Sequence, residues 1–224
     1  MSTTSSETYD AVVLAGGRAA RLGGVPKPTV VLAGSTLLDR ALDATHDAAR
    51  TVVVGPAPAL RPGRDVLAAR EDPPFGGPVA GLDAGLRALD AAPGRDAPAL
   101  VLVLAVDVPR ASKAVPLLRA AVAGPGRAAD GAYLVRAGRA QWLVGLYRHA
   151  VLRRALDHLA GPAGAAGLAG APVRRLLGAL SCVEVPDLDD VSADVDTWED
   201  HRRLTVGLDT GRHDAVAERR GGTR

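Results

Sequence analysis

A single cysteine, Cys182, stands in 224 residues, which excludes an internal disulfide and a cysteine-cluster metal site. Aromatic residues make up 3% of the chain against an apolar fraction of 47%, so the core must be aliphatic. Charge of one sign is also lacking: the formal net charge is +2, too little for a strong nucleic-acid or membrane field. No apolar run approaches membrane-spanning length. The first ten residues, MSTTSSETYD, have neither the basic region nor the apolar run of a signal peptide or anchor. The expectation is a cytoplasmic protein with no nucleic-acid or membrane partner. Lysine is scarce too, since of 27 cationic residues only Lys27 and Lys113 are lysines. Arginine carries a planar fork, whereas lysine is a compact point charge that fits between phosphates, so the position of Lys27 is informative.

That position lies in Leu14 to Lys27, LAGGRAARLGGVPK, directly after the apolar run Ala11, Val12, Val13. Gly16, Gly17, Gly23 and Gly24 let main-chain N–H groups approach an anion without a Cβ in the way, and Arg18, Arg21 and Lys27 supply positive charge. The stretch is neither a P-loop, with Gly-Lys followed by Ser or Thr, nor a G-x-G-x-x-G dinucleotide loop.

The length suits one domain with one core, read as residues 9–207 between a disordered polar tail at 1–8 and a polar tail at 208–224. Asp10 to Ala15 is the first strand. Thr36 and Asp39 have capping-box spacing ahead of a helix carrying Leu37, Leu38, Ala41 and Leu42. Thr51 to Gly55 reads as a strand buried on both faces, Ala57 to Gly63 as a Pro-rich loop, and Asp65 to Ala68 as a short strand. Glu71 to Pro78 is a loop, after which Pro78 opens a helix with Val79, Leu82, Leu86 and Leu89 on its apolar face. Ala99 to Val106, the most apolar run, is the expected central strand and stops at Asp107. A helix follows over Ala111 to Ala123, then strands Asp130 to Arg136 and Gln141 to Tyr147 around a turn at Ala137-Gly138. A helix over His149 to Leu159 leads to a mobile loop at Gly161 to Pro172, a short helix Val173 to Leu180 and a strand Cys182 to Val185. The acidic loop Asp187 to Asp196 precedes Thr197 and Asp200, a second capping-box pair. Strands alternating with helices predict an α/β fold, a mostly parallel sheet with helices on both faces, and ligands then bind beyond the carboxyl ends of the strands.

The pattern Leu14, Ala15, Gly16, Gly17, three residues, Arg21, Leu22, Gly23 and finally Lys27 resembles the signature loop of the molybdenum cofactor guanylyltransferase family. Gly76-Gly77-Pro78-Val79-Ala80-Gly81 resembles that family's G-P-L-A-G segment, and Asp194-Val195-Asp196-Thr197 its C-terminal D-x-D-T stretch with Trp198 where Pro is usual. Pro26 stands where the family usually has Asp, and Pro26-Lys27-Pro28 is closer to the sugar-phosphate nucleotidyltransferases. The resemblance spans about Asp10 to Leu204. It implies a three-layer Rossmann-like nucleotidyltransferase fold, Mg²⁺, GTP or another NTP, a molybdopterin-like phosphate acceptor, and molybdoenzyme or cofactor-pathway proteins as partners. It also implies that Leu14, Ala15, Gly16, Gly17, Gly77 and Asp72 meet the nucleotide, with Asp72 on guanine, and that Gly55 replaces an Asn contact.

Two readings stay open at most of the remaining positions. Asp107, at the end of the most buried strand, suits Mg²⁺ bound through one or two carboxylates, or is a helix N-cap or a solvated turn aspartate. Asp196 is a second metal carboxylate or an acidic cap, and Asp72 a base contact or a turn residue before Pro73. Trp142 and Tyr147 stack on a pterin or fill the core, and Arg174 and Arg175 receive an acceptor phosphate or face solvent. The five histidines show no ligand spacing. The chemistry expected is in-line attack of an acceptor phosphate on the nucleotide's α-phosphorus, with Lys27, Arg21 and Asp107 catalytic. A transferase acting on a sugar phosphate or another cofactor precursor, and a non-catalytic nucleotide-binding regulatory module, are the competing readings.

Overall fold

The computed structural model describes residues 7–16, 22–56, 65–93, 98–124 and 129–208. Most of both expected tails and the whole Ala57 to Gly63 loop, as well as Gly17, Arg18 and Arg21, lie outside the described residues. β1 (Tyr9–Leu14) is buried along its whole length. Its alternation sends Val12 and Leu14 into one apolar cluster and Ala11 and Val13 into two others, as a strand covered on both faces requires.

After the short hairpin of β2 (Val31–Leu32) and β3 (Ser35–Thr36), α1 (Leu37–Ala44) begins at the Thr36/Asp39 capping box. β4 (Thr51–Val54) and β5 (Leu67–Ala69) follow, then α2 (Pro78–Ala91), β6 (Leu100–Ala105) and α3 (Ala111–Ala123). β7 (Gly131–Arg136) and β8 (Arg139–Arg148) form a hairpin through Ala137 and Gly138, at φ 48° and 72°. The chain closes with α4 (His149–Ala160), α5 (Val173–Leu177), β9 (Cys182–Pro186) and a last helix over 198–208, α6.

The seven-stranded sheet runs β5-β4-β1-β6-β8-β7-β9. All neighbouring pairs are parallel except those of β8, which the hairpin reverses and inserts between β6 and β7. Residues of α2, α4 and α5 pack in the cluster with Val12, Val54 and Val103, while α3 packs with Leu102, Leu104 and Leu134, and α1 with Val13 and Val53. These are the three layers expected. No helix among the described residues is long and apolar enough to cross a membrane.

Gly161 to Pro172 departs from the expected loop. Gly161–Leu168 forms 3₁₀ turns broken at Gly164, Leu168 is buried, and the Gly170 N–H donates to the Gly76 carbonyl at 2.8 Å. Small residues let this segment lie close on its neighbours, so it braces the 71–77 loop. The helix expected to reach Leu180 ends at Leu177, where the Gly178 N–H donates to the Arg174 carbonyl.

α2 lies close on the sheet through glycine. A Cβ at Gly85 would stand 2.7 Å from Val12 Cγ1 and 3.0 Å from Val54 Cγ2, atoms of stiff β-branched residues. Gly85→Val is expected to destabilise the protein by about 1–3 kcal/mol through overpacking, read as a lower midpoint in urea unfolding.

Candidate active site

At the carboxyl edge of the sheet the chain closes a cation between two anions. Lys27 Nζ donates to Asp107 Oδ2 at 2.6 Å and to Asp196 Oδ1 at 2.5 Å. Each of the three arrives by a different route. Lys27 opens the 3₁₀ turn Lys27–Thr29 between Pro26 and Pro28, and Pro26 has φ −60°. The two pyrrolidine rings fix φ on either side of the lysine, and Thr29 ties back to the Pro26 carbonyl through both its N–H and its Oγ1. Asp107 follows β6. Asp196 follows Val195, whose N–H donates to the Asp107 carbonyl at 2.9 Å. Leu22, Val30, Leu32, Leu37, Ala193, Val195 and Leu204 form a small apolar cluster that anchors the lysine segment and the 187–196 loop to each other.

The 187–196 loop is itself built around Asp187, whose carboxylate accepts from the N–H groups of Val191 and Ser192 and from Ser192 Oγ. Burial alone would raise its pKa, but these donors and Arg136 outweigh burial and hold it below the ordinary carboxylate value. Arg136 at the end of β7 pairs with Asp194 at 3.2 Å. Burial pushes the pKa of Asp107 up, beyond what the Lys27 ammonium takes back, and Asp194 and Asp196 add to the rise. Burial pulls the Lys27 pKa down, but Asp107 and Asp196 together reverse this and the net shift is upward. Burial leads the rise at Asp107, whereas the paired carboxylates produce the rise at Lys27, and two carboxylates facing one cation leave room for added positive charge.

Neither aspartate is a helix cap. α3 starts from Arg110 without a side-chain cap, and α6 is capped by the Thr197/Asp200 box. Lys27 and Asp107 stand in a cleft of about 410 Å³ whose lining also includes Leu14, Gly16, Val54, Glu71, Phe75, Gly77, Pro78, Gly81 and Leu143. Because β1 lies between β4 and β6, the cleft runs across the end of β1 at Leu14 and Gly16, from Val54 on one side to Asp107 on the other.

Leu14, Gly16, Gly77, Lys27 and Asp107 meet as expected. Ala15 does not line the cleft; it is buried, and its N–H donates to the Val54 carbonyl. Asp72 is also placed elsewhere, lining a separate depression with Arg70 and Arg87, while Glu71 takes the place in the cleft. The two adjacent carboxylates, at the bend that follows β5, thus serve different depressions. Gly55, at φ 149°, packs on the first loop, where a Cβ would stand 2.9 Å from Ala15 C and from Gly16 N. No side chain fits there without moving the loop. Trp142 and Tyr147 belong to the core: the Tyr147 hydroxyl donates to the Trp142 carbonyl, and Trp142 meets Tyr133 edge-on at 6.4 Å. Arg174 and Arg175 are exposed. Glu71, Phe75, Val54 and Leu143 are cleft residues that sequence reasoning missed. The available signal was the position of the chain's single phenylalanine, in a loop of Pro and Gly.

The chain is an α/β protein with a cleft at the carboxyl edge of its sheet. Its fold is similar to that of molybdopterin-guanine dinucleotide biosynthesis protein A from Archaeoglobus fulgidus, with TM-score 0.64 and 20% identity over 90% of this chain and 99% of that one. It is also similar to 2-C-methyl-D-erythritol 4-phosphate cytidylyltransferase from Francisella tularensis, with TM-score 0.64 and 16% identity over 88% and 98% of the two chains. Residues 11–182 match the family model described as MobA-like NTP transferase domain, and the chain belongs to that family. A molybdenum cofactor guanylyltransferase from Sinorhizobium fredii is 37% identical over 112 residues, which are 48% of this chain and 49% of that protein. The match thus spans about half the length of each.

Asp187→Ala leaves the buried donors of the 187–196 loop without an acceptor and is expected to cost about 2–3 kcal/mol. A lowered carboxylate pKa contributes stability that is full above the unfolded value of about 3.9 and is lost as pH falls through the folded value. The gap between wild type and variant in urea unfolding should therefore be full at pH 7 and shrink below about pH 4.

Proposed function

We propose that this chain is a Mg²⁺-dependent nucleotidylyltransferase that transfers GMP from GTP to a molybdopterin-type phosphate and releases pyrophosphate. The observation that carries this reading is the Lys27 ammonium held between Asp107 and Asp196 at one end of a cleft that crosses the end of β1. Two carboxylates that converge on one cation fit a hard ion that keeps waters and substrate oxygens in its shell. Bound by Asp107 and Asp196, Mg²⁺ supplies neutralising charge at the phosphate oxygens.

The chain's own groups then have distinct tasks. Lys27 donates to phosphate oxygens and stabilises the negative charge that accumulates as the leaving group departs. Gly16 presents backbone without a side chain, so the triphosphate can approach the loop. An acceptor phosphate oxygen attacks the α-phosphorus in line, the bond from that phosphorus to the β-phosphate oxygen breaks, and its electron pair leaves with pyrophosphate. Positioning and charge suffice, and no protein nucleophile is needed.

Support for guanine comes from the family, from the partial match to the S. fredii guanylyltransferase, and from Glu71 in the cleft. A carboxylate is acceptor-only and suits the adjacent N1–H and amino donors of guanine. The test is turnover with each of the four NTPs and molybdopterin, followed by pyrophosphate release. GTP should be preferred, and Lys27→Ala and Asp107→Ala should each lower kcat by about 10²–10³-fold while circular dichroism stays native. Preference for CTP or UTP would refute the guanylyl assignment. Nucleotide binding without turnover would favour a regulatory module instead.

A further inference from the structure

Phe75 is the chain's only phenylalanine, and its placement is costly. It is 61% exposed and sits at φ 64°, a left-handed conformation that a bulky side chain rarely adopts. Glycines were at hand, since Gly76 and Gly77 follow directly, and Gly77 itself takes φ 86°. Strain of this kind persists where the surroundings hold it, and it concentrates at ligand clamps.

The surroundings do hold it. Glu71 Oε1 accepts from the Phe75 N–H at 3.2 Å. The next residue is fixed from both sides: the Gly76 carbonyl accepts from Gly170, and a Cβ at Gly76 would stand 2.8 Å from that of Ala80. The ring is thus carried on a braced loop at the rim of the cleft, whose lining includes the apolar side chains of Leu14, Val54 and Pro78. Leu14 and Val54 end β1 and β4, whereas Lys27 and Asp107 meet on the β6 side of the Gly-rich loop. A nucleotide has the same two ends, a flat aromatic base and an anionic phosphate chain.

We propose that Phe75 is the nucleobase clamp of this site, its ring stacking on the base of the NTP whose phosphates reach Lys27. The clamp rests on the proposed NTP-binding function but not on which base is bound. Stacking is tolerant of base identity, so Phe75 supplies affinity while hydrogen-bonding groups such as Glu71 supply selectivity.

The experiment is calorimetric titration of wild type, Phe75→Ala and Phe75→Trp with each of the four NTPs and with inorganic tripolyphosphate, which has phosphates but no base. Phe75→Ala should raise Kd about 5- to 100-fold for every NTP that binds and leave tripolyphosphate unchanged. Phe75→Trp should restore NTP affinity, and its indole fluorescence should change on NTP binding and not on tripolyphosphate binding. Phe75→Gly should raise the thermal midpoint while weakening NTP binding, because it removes strain and platform together. Unchanged NTP affinity in Phe75→Ala overturns the clamp and leaves the proposed function standing, as does a change confined to the KM of the acceptor. Equal loss for tripolyphosphate also overturns it, since the variant would then have disturbed the loop as a whole. A wild type that binds no NTP overturns both the clamp and the proposed function.

Discussion

One ammonium between two carboxylates determines where three distant segments meet. Asp107 is 80 residues from Lys27 and Asp196 is 169, so the contact joins the end of the Gly-rich stretch, the end of the central strand and the C-terminal loop. Lys27 and Asp107 side chains are only 20% and 17% exposed, which limits solvent screening. Removing the lysine would leave two partly desolvated anions facing each other, and such uncompensated charge is far more costly than the pair itself is stabilising. The surrounding structure limits this risk by anchoring the backbone independently of the charges. The Val195 N–H bond to Asp107 and the Leu22/Val30/Val195/Leu204 cluster hold the segments near each other while the side chains remain available to exchange partners.

From that contact the cleft divides by physical rule. Around Lys27, Asp107 and Asp196 the interactions are ionic and respond to whatever charge enters. Around Leu14, Val54, Pro78 and Phe75 they are apolar and respond to shape. Gly55 lets the Ala15-Gly16 backbone lie close on the end of β4, so the boundary between the two halves, where Gly16 lines the cleft, is backbone rather than flexible side chains. A preorganised backbone of this kind reduces the ordering cost of binding.

Much of this was legible in the sequence because it is local. Capping boxes at Thr36 and Thr197, the apolar run ending in Asp107 and the helix opening at Pro78 each depend on a few neighbouring residues, and each stands where expected. The strand alternation gave the parallel sheet, and the turn at Ala137-Gly138 gave the hairpin that reverses β8. The convergence of Lys27 with Asp107 followed from the rule that strand ends gather at one edge. What could not be read depends on register or on packing across the fold. Choosing between Glu71 and Asp72 needs the direction of each side chain in one short loop, which composition does not encode. The 3₁₀ turns at Gly161–Leu168 are stabilised by contact with the 71–77 loop and α4, not by local propensity, so a run of Gly, Ala and Pro looked structureless.

Pro26 and Gly55 show how packing explains departures from a family pattern. Pro26, where an acidic residue is usual in the resembled family, works with Pro28 to hold Lys27 on a rigid turn, so the residue that fitted the motif least well positions the cation that matters most. Gly55 leaves no side chain at the end of β4, and the first loop occupies the space down to its backbone. The fold is shared with both a molybdopterin-guanine dinucleotide biosynthesis protein and a cytidylyltransferase at the same TM-score, so architecture alone does not choose the base. With Gly55 contributing no polar group, the proposed function assigns that choice to the braced loop that presents Glu71 and Phe75. A carboxylate there favours a base edge with adjacent donors, and an aromatic ring beside it favours any base. In the proposed reading, selectivity and affinity fall to two residues four positions apart that are coupled through the Phe75 N–H bond to Glu71 Oε1.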